Sequence, residues 1–252
     1  MANGAQVSSF PASTSRGPLS FAWGVVATLL SGIYTAILAP GAAFAAMMGR
    51  SHAVTLLTRL WGRLIINSCG VKVEIVGLEN LSGLKSCVLV SNHQSFFDIF
   101  AIGAYIPGEP RFLAKKELLK IPLLGFALRH SENIIIDRQA GGREVRHAVD
   151  VIKSGFLVSV FAEGHRFSDN RVHEFSDGAA WIAILGQAPA VPMSISGSGA
   201  FYPRKAIVVV PGRKMRMVIG KPISTKGMSS RDRGELTRRL EAEVRATFTE
   251  GV

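Results

Sequence analysis

The first third of the chain is dominated by one long apolar segment. No charged residue occurs between Arg16 and Arg50, and residues 21–39 form a predominantly apolar stretch of 19 residues. About 20 apolar residues span the hydrocarbon core of a bilayer, so this segment is long enough for a membrane-spanning helix. Three interpretations fit it: a secretory signal peptide cleaved near residues 43–45, a single span, or a helical hairpin that dips into one leaflet and turns at residues 40–41.

The next segment, residues 51–68, predicts an amphipathic helix. Its apolar residues recur at helical spacing: Leu56, Leu57, Leu60, Trp61, Leu64 and Ile65. Arg59 and Arg63 lie beside this face, a combination that the lipid interface accepts. A helix that packs on the following domain would have the same pattern. The sequence thus predicts a disordered tail over residues 1–20, membrane-anchoring helices over 21–70 and a globular domain over 71–252.

From residue 71 onward, short β-rich runs alternate with helical ones. The predicted strands are residues 71–76, 87–91, 111–114, 133–136, 156–161, 190–195, 206–210 and 215–219. The predicted helices are residues 96–104, 116–128, 142–153, 178–185 and 231–248, the last capped by Ser229 or Ser230. Such alternation favours an α/β fold with a mixed, largely parallel sheet flanked by helices. Pro211-Gly212, between two predicted strands, indicates a hairpin turn near one edge.

Charge adds a second property to this pattern. The net charge is +11, and residues 203–245 alone hold 12 basic and 4 acidic residues. Such a surface suits anionic lipid, nucleic acid or an acidic carrier protein. Nucleic acid is disfavoured, because only 8% of residues are aromatic and many of them lie in apolar runs. Cys69 and Cys87 have the spacing of neither a disulfide framework nor a metal site.

Polar residues follow three of the predicted strands at their carboxyl ends. The first strand runs into Asn92 and His93, another into Asp137 and Arg138, and a third into residues 163–166. Ligands of open α/β sheets bind outside the carboxyl ends of the strands. If these strands are parallel neighbours, one crevice collects a base, two arginines and several carboxylates.

His93 and Asp98 are the candidate base and its partner. With His93 in a turn and a helix beginning near Ser95, the carboxylate can fold back toward the imidazole. A carboxylate on one ring nitrogen fixes the tautomer and leaves the other nitrogen as a general base. The same residues also fit a capping box from Ser95 to Asp98, in which the carboxylate only satisfies the helix start.

The candidate binding residues are cationic. Arg138 and Arg166 carry guanidinium groups, which match phosphate oxygens bidentately, and each could instead pair with a neighbouring carboxylate. Glu163 could orient Arg166 or accept a hydrogen bond from a substrate hydroxyl. Lys115 could add positive potential or be an ordinary exposed lysine.

Together these motifs resemble the glycerolipid acyltransferase family typified by 1-acylglycerol-3-phosphate acyltransferases. The boxes occur in the family's order between about residues 60 and 222. They are the NHx4D box at 92–98, the AKKEL segment at 114–118 with Ile121-Pro122 and Gly125, and an arginine-bearing box at 136–138. An FPEGTR-like box follows at 161–166, then Phe175, Gly178-Ala179 and Val191-Pro192.

The resemblance implies an enzyme that transfers a fatty acyl group from a thioester to a lysophospholipid hydroxyl, with 1-acyl-sn-glycerol-3-phosphate as the first acceptor and phosphatidic acid as the product. The alternatives are an acyltransferase for another lysolipid and a non-catalytic membrane lipid-binding protein of the same fold. His93 would be the general base and Asp98 its orienting partner. Substrate binding would fall to Lys115, Arg138, Glu163, Gly164, His165 and Arg166. It implies no metal and no cofactor beyond the co-substrate, acyl-CoA or acyl carrier protein. It also implies contact with membrane lipids and a place at the cell inner membrane, with the catalytic domain on the cytoplasmic side.

The departures from the family's pattern are confined to one box. Ala162 stands where the family usually has Pro, His165 where it has Thr, and Phe167 where Ser is common. Glu163 and Arg166 are retained. A histidine beside the phosphate-binding arginine could change the headgroup preference of the enzyme or make it sensitive to pH.

Overall fold

The computed structural model describes residues 17–108, 110–120, 124–130, 133–136, 143–167, 169–202 and 207–250. Their helices are α1 (Pro18–Met47), α2 (Ser51–Ser68), α3 (Phe97–Tyr105), α4 (Leu124–His130), α5 (Arg143–Lys153), α6 (Gly178–Gly186) and α7 (Arg233–Thr247). Their strands are β1 (Lys72–Val76), β2 (Val88–Ser91), β3 (Pro110–Lys115), β4 (Ile134–Ile136), β5 (Leu157–Phe161), β6 (Ala190–Ser196) and β7 (Lys214–Ile219).

These strands form one sheet in the order β1-β7-β6-β2-β5-β3-β4. Every neighbouring pair is parallel except β6 and β7, which are antiparallel. Central strand β2 is buried along its whole length, as expected where helices cover both faces of a parallel sheet. The predicted mixed, largely parallel α/β fold is confirmed.

Alternation along β2 separates two hydrophobic cores. Leu89 packs with residues of α2 and α3 on one face of the sheet, including Ile65 and Ile102. Val88 and Val90 point to the other face, where they pack with residues of α5, α6 and α7. Successive strand residues point to opposite faces, so β2 contributes side chains to both hydrophobic cores.

Helices α1 and α2 form an antiparallel hairpin. The Trp23 indole donates to the Ser68 carbonyl oxygen at 2.9 Å, and the Trp61 indole donates to the Thr35 hydroxyl at 3.0 Å. The predicted turn at residues 40–41 is wrong, since α1 continues through Pro40 and the chain reverses after Met47. A proline removes one helical hydrogen bond, but packing continues beyond it and offsets that loss.

Within the described part of the chain, α1 alone is long and apolar enough to cross a membrane. Its most apolar window has a mean hydropathy of 1.8, and only 11% of that window is buried. The predicted tail over residues 1–20 falls mostly on residues 1–16, which lie outside the described part.

The predicted strand over residues 206–210 is wrong where it can be compared. Residues 207–210 form no strand, and Val209 and Val210 are buried. The Val209 amide donates to the Thr28 hydroxyl of α1 at 3.2 Å, and the Val210 amide donates to the Phe201 carbonyl at 2.7 Å. This apolar run packs on α1 instead of joining the sheet, and β7 pairs with β6 across a longer connection.

Two predicted helices begin in the structure with a short 3-10 turn. The predicted helix over 116–128 is divided into a short 3-10 turn, Lys116–Lys120, and α4; Pro122 lies between them, and a proline disfavours helical geometry in the residue before it. The predicted cap at Ser229 is found at the start of a 3-10 turn, Ser230–Asp232, that leads into α7: the Ser229 hydroxyl accepts the Arg231 N–H at 3.3 Å, and the Ser229 amide donates to the Asp232 carboxylate at 2.7 Å.

The end of β2 is fastened to β6 by one side chain. Asn92 is fully buried; its amide group donates to the Ile195 carbonyl and its amide oxygen accepts from the Ile195 N–H, both at 2.8 Å. This pair of bonds reproduces a strand-to-strand contact one residue beyond the ladder. The following residue, His93, therefore starts from a fixed backbone position.

We expect Asn92→Ala to lower the free energy of unfolding by about 2–5 kcal/mol, because both polar groups of Ile195 would stay buried without partners. Chemical denaturation in detergent measures this. Ser91→Ala is the matched control, since the described structure gives its buried hydroxyl no partner; its effect should stay within about 1 kcal/mol. Equal losses in the two variants would contradict the fastening role of Asn92.

Candidate active site

His93 and Asp98 are in direct contact at the carboxyl end of β2. Nδ1 of His93 lies 2.9 Å from Oδ2 of Asp98. The Asp98 side chain is 0% exposed, whereas that of His93 keeps 12% exposure. Because a carboxylate only accepts hydrogen bonds, this contact places the imidazole proton on Nδ1 and leaves Nε2 with a lone pair.

The same carboxylate oxygen also organises the helix start. Oδ2 of Asp98 accepts the backbone N–H of Gln94 at 2.8 Å and that of Ser95 at 2.9 Å. The two sequence interpretations of Asp98, imidazole partner and helix-start partner, therefore describe one atom. Three donors around this one oxygen fix both the loop backbone and the orientation of the imidazole.

His93 is also held by the segment that follows β5. The Phe161 ring stacks on the imidazole with centroids 3.8 Å apart and planes 14° from parallel. The His93 amide donates to Oε2 of Glu163 at 2.8 Å, and the Phe167 amide donates to the His93 carbonyl at 3.0 Å. Strands β2 and β5 are adjacent and parallel, so two of the predicted converging strand ends meet here.

Glu163 links two backbone segments. Its Oε1 accepts the His173 amide at 2.9 Å, while Oε2 accepts that of His93. The residue is only 8% exposed. Burial raises the pKa of this carboxyl to about 7, against the opposing effect of the two amide donors. Both carboxylate oxygens thus serve the backbone, in an anchoring arrangement that sequence reasoning did not foresee.

Arg166 lies against Phe96, in the β2–α3 loop (residues 92–96). The guanidinium carbon is 3.6 Å from the centroid of the Phe96 ring, within the range of a cation–π contact. Arg166 is half-buried and Phe96 is 40% exposed. The cationic group is therefore at the same edge of the sheet as His93.

Gly164 and His165, the other predicted binding residues of this box, lie in the turn after β5. Gly164 and His165 are both exposed. The Gly164 backbone has φ +69°, a conformation that favours glycine, and its amide donates to the Phe161 carbonyl at 3.1 Å. A glycine is thus needed for the turn that brings Glu163 beneath His93.

Lys115 lies on a strand farther along the sheet, and Arg138 follows another strand in the sequence. Lys115 is exposed at the end of β3 and is paired in register with Ile136 of β4. Arg138 lies outside the described residues, two positions after that strand. Because β3 separates β4 from β5, the third predicted strand end shares the edge of the sheet but is not adjacent to the other two.

A second His–Asp contact accompanies the box and escaped prediction. Nε2 of His173 lies 2.8 Å from Oδ2 of Asp169, and the imidazole stacks on Phe167 at 3.7 Å between centroids. Neither His173 nor Asp169 follows a strand directly, so no sequence pattern pointed to them. This contact supports the loop that carries Arg166.

The high pKa of Glu163 predicts a pH-dependent stability. The unfolded carboxyl ionises near its ordinary pKa of 4.5 and the folded one near 7, so between these values the folded state holds a proton that the unfolded state has lost. The free energy of unfolding should therefore contain a part that is present below pH 4.5 and lost as the pH rises to 7. Denaturation of Glu163→Gln in detergent at several pH values should lack that decline.

Glu174→Gln, an exposed carboxyl of the same segment, is the matched control and should keep the slope of the wild type. A decline of equal size in wild type and Glu163→Gln would contradict the assignment to Glu163.

Comparison with known proteins places this geometry in a family. The acyltransferase family model matches residues 72–196, from the start of β1 to the end of β6. The 1-acyl-sn-glycerol-3-phosphate acyltransferase of Pseudomonas aeruginosa is 31% identical over 72% of this chain and 70% of its own length. The chloroplastic enzyme BAT2 of Brassica napus, with the same activity in its name, is 32% identical over 66% of this chain. The chain spans about half the length of that plant relative, 49%.

A solved structure agrees over nearly the whole chain. The crystal structure of PlsC, the 1-acyl-sn-glycerophosphate acyltransferase of Thermotoga maritima, superimposes with a TM-score of 0.78. Sequence identity is 25%, over 90% of this chain and 95% of that one. With the motifs in order and the imidazole–carboxylate contact at the shared sheet edge, the chain belongs to the PlsC-like glycerolipid acyltransferase family and is an acyltransferase.

Proposed function

We propose that this enzyme transfers a fatty acyl group from a thioester to the free hydroxyl of 1-acyl-sn-glycerol-3-phosphate, giving phosphatidic acid. The observation that carries the proposal is the Nδ1 contact of His93 with Asp98, which leaves Nε2 available as a base. The names of the relatives in Pseudomonas aeruginosa and Brassica napus support the choice of acceptor. The thioester is acyl-CoA or acyl-acyl carrier protein.

The reaction starts at Nε2 of His93. This nitrogen takes the proton of the acceptor hydroxyl as that oxygen attacks the thioester carbonyl carbon. The tetrahedral intermediate then expels the thiolate as the C–S bond breaks, and the imidazolium returns its proton to the sulfur. The products are an ester and a free thiol, and Asp98 stabilises the imidazolium between the two proton transfers.

A direct transfer fits the state of the two cysteines, which would otherwise be candidate acyl carriers. Both thiols are buried, and burial raises the pKa of Cys69 to about 11 and that of Cys87 to about 12. Thiolate is the nucleophilic form, so neither is prepared to form an acyl-enzyme. The attacking group is the acceptor hydroxyl itself.

We assign acceptor binding to the cationic residues that the family resemblance singled out. Arg166 and Arg138 bind the phosphate, because a guanidinium offers paired N–H donors to its oxygens. Lys115 adds positive potential from β3. Glu163 acts through its bonds to the His93 and His173 amides, which hold the base and the Arg166 loop at a constant separation.

We also propose that α1 attaches the enzyme to the inner membrane, with the α/β domain on the cytoplasmic side. The side chains of Leu29, Ile33 and Ile37 are 63%, 52% and 66% exposed along α1. An apolar row of this kind is stable when it is buried in lipid. The positive charge of the domain suits the anionic cytoplasmic leaflet.

His93→Ala should lower turnover by about 10²–10⁴-fold, the usual contribution of a general base. Release of free thiol from acyl-CoA in the presence of 1-acyl-sn-glycerol-3-phosphate measures it. The matched control is His147→Ala, which alters an exposed histidine of α5 and should keep wild-type turnover. Turnover near wild type in His93→Ala would contradict the assigned base.

The membrane proposal has a separate test. Replacement of Leu29, Ile33 and Ile37 by Lys should move the protein out of the vesicle fraction in a flotation assay, because charged groups are costly in hydrocarbon. Leu185→Lys is the control, since Leu185 is an exposed apolar residue of α6, 41% exposed, away from the hairpin. Flotation of the triple variant at the wild-type level would contradict attachment through α1.

A further inference from the structure

Phe96 is an exposed aromatic residue in the β2–α3 loop, residues 92–96. It is 40% exposed, whereas the next residue, Phe97, is 3% exposed and packs in the core against Phe201. Phe97 therefore fills the apolar space beneath the loop, and the core does not account for a second ring beside it. The Phe96 ring instead contacts the Arg166 guanidinium, whose central carbon lies 3.6 Å from the ring centroid.

The geometry of this contact is compatible with anion binding by Arg166. A guanidinium is planar and its N–H donors point outward in that plane. The guanidinium carbon lies over the face of the Phe96 ring, and a cation–π contact of this kind uses none of the in-plane donors that phosphate oxygens would take. The ring is also neutral, and it orients the guanidinium without cancelling its positive charge.

The contact also connects Arg166 to the base by a short path. Phe96 lies three residues after His93 and two before Asp98, in the loop fixed by the Asp98 carboxylate. On the other side, the Phe167 amide beside Arg166 donates to the His93 carbonyl. Two contacts therefore fix the position of Arg166 relative to His93: the backbone bond of its neighbour Phe167 and the contact of its own guanidinium with Phe96.

We infer that Phe96 is a positioning residue that orients the Arg166 guanidinium toward the phosphate monoester of the acceptor. This inference rests on the proposed function, since it needs an acceptor phosphate bound by Arg166. Phe96 acts through Arg166 and does not itself contact the reacting atoms.

The first test is a kinetic comparison of two Phe96 variants, with 1-acyl-sn-glycerol-3-phosphate as the acceptor. Phe96→Leu keeps an apolar side chain but removes the π face; a cation–π contact contributes about 0.5–2 kcal/mol, which corresponds to a rise of about 2–30-fold in the acceptor KM. The kcat and the acyl-CoA KM should both stay close to their wild-type values. Phe96→Trp should keep the wild-type acceptor KM, because indole is the best cation–π partner.

A double-mutant cycle with Arg166→Ala separates positioning from structure. In the Arg166→Ala background, Phe96→Leu should have no further effect on the acceptor KM. The matched control is Tyr105→Leu at the far end of α3, where Arg63 lies 6.0 Å from the Tyr105 ring; it should leave both KM values unchanged. An equal effect of Phe96→Leu in both backgrounds, or a fall in kcat with constant KM, would overturn the inference.

Binding to an inactive enzyme distinguishes this inference from the proposed function. In the His93→Ala background, titration with 1-acyl-sn-glycerol-3-phosphate in detergent should show weaker binding when Phe96→Leu is added, by the same factor as the acceptor KM. Transfer by the wild type together with unchanged binding and KM in Phe96→Leu overturns the role of Phe96 alone. Absence of both transfer and binding in the wild type overturns the proposed function, and this inference with it.

Discussion

One carboxylate oxygen, Oδ2 of Asp98, accepts the three hydrogen bonds on which the rest of the site depends. It receives the imidazole Nδ1–H and two consecutive backbone amides. The amides shape the loop between β2 and α3, and the imidazole takes its orientation from the same atom. The carboxylate is wholly buried, so it gives up contact with water and depends on these donors for its stabilisation. The same oxygen therefore determines both the shape of the loop and the tautomer of the His93 imidazole.

The hairpin of α1 and α2 packs on α3, the helix that carries this carboxylate. A Cβ on Gly62 of α2 would lie 2.5 Å from the Phe100 carbonyl oxygen of α3, so the two helices meet where glycine lets their backbones approach closely. At the C-terminal end of α2, the indole of Trp23 in α1 donates to the Ser68 carbonyl. The apolar helix α1 is therefore connected to α3, and so to the loop that carries His93, through the direct contacts of α2.

Much of this arrangement was predictable because it is local in sequence. The spacing of His93 and Asp98 allowed both an imidazole contact and a capping box, and the structure contains both kinds of bond. Short β-rich runs located the strands that end at the site. The anchoring by Glu163 was not predictable, since it joins residues 70 positions apart through backbone amides that leave no side-chain pattern. The strand prediction over residues 206–210 failed because an apolar run that packs on a helix has the same composition as a buried strand. Pro40 misled because a helix supported by its neighbour tolerates proline.

One departure of the box from its family's pattern, Phe167, has a physical explanation in the way His93 is held. The bond to its carbonyl comes from the main chain of residue 167, and Glu163 likewise meets the main chain of residue 173. Any residue with an N–H can make these bonds, so selection can exchange the side chains at both positions without disturbing the base; proline alone is forbidden there. The phenylalanine at position 167 is one such exchange: the outer surface of the loop can diverge there while the bond to His93 stays the same.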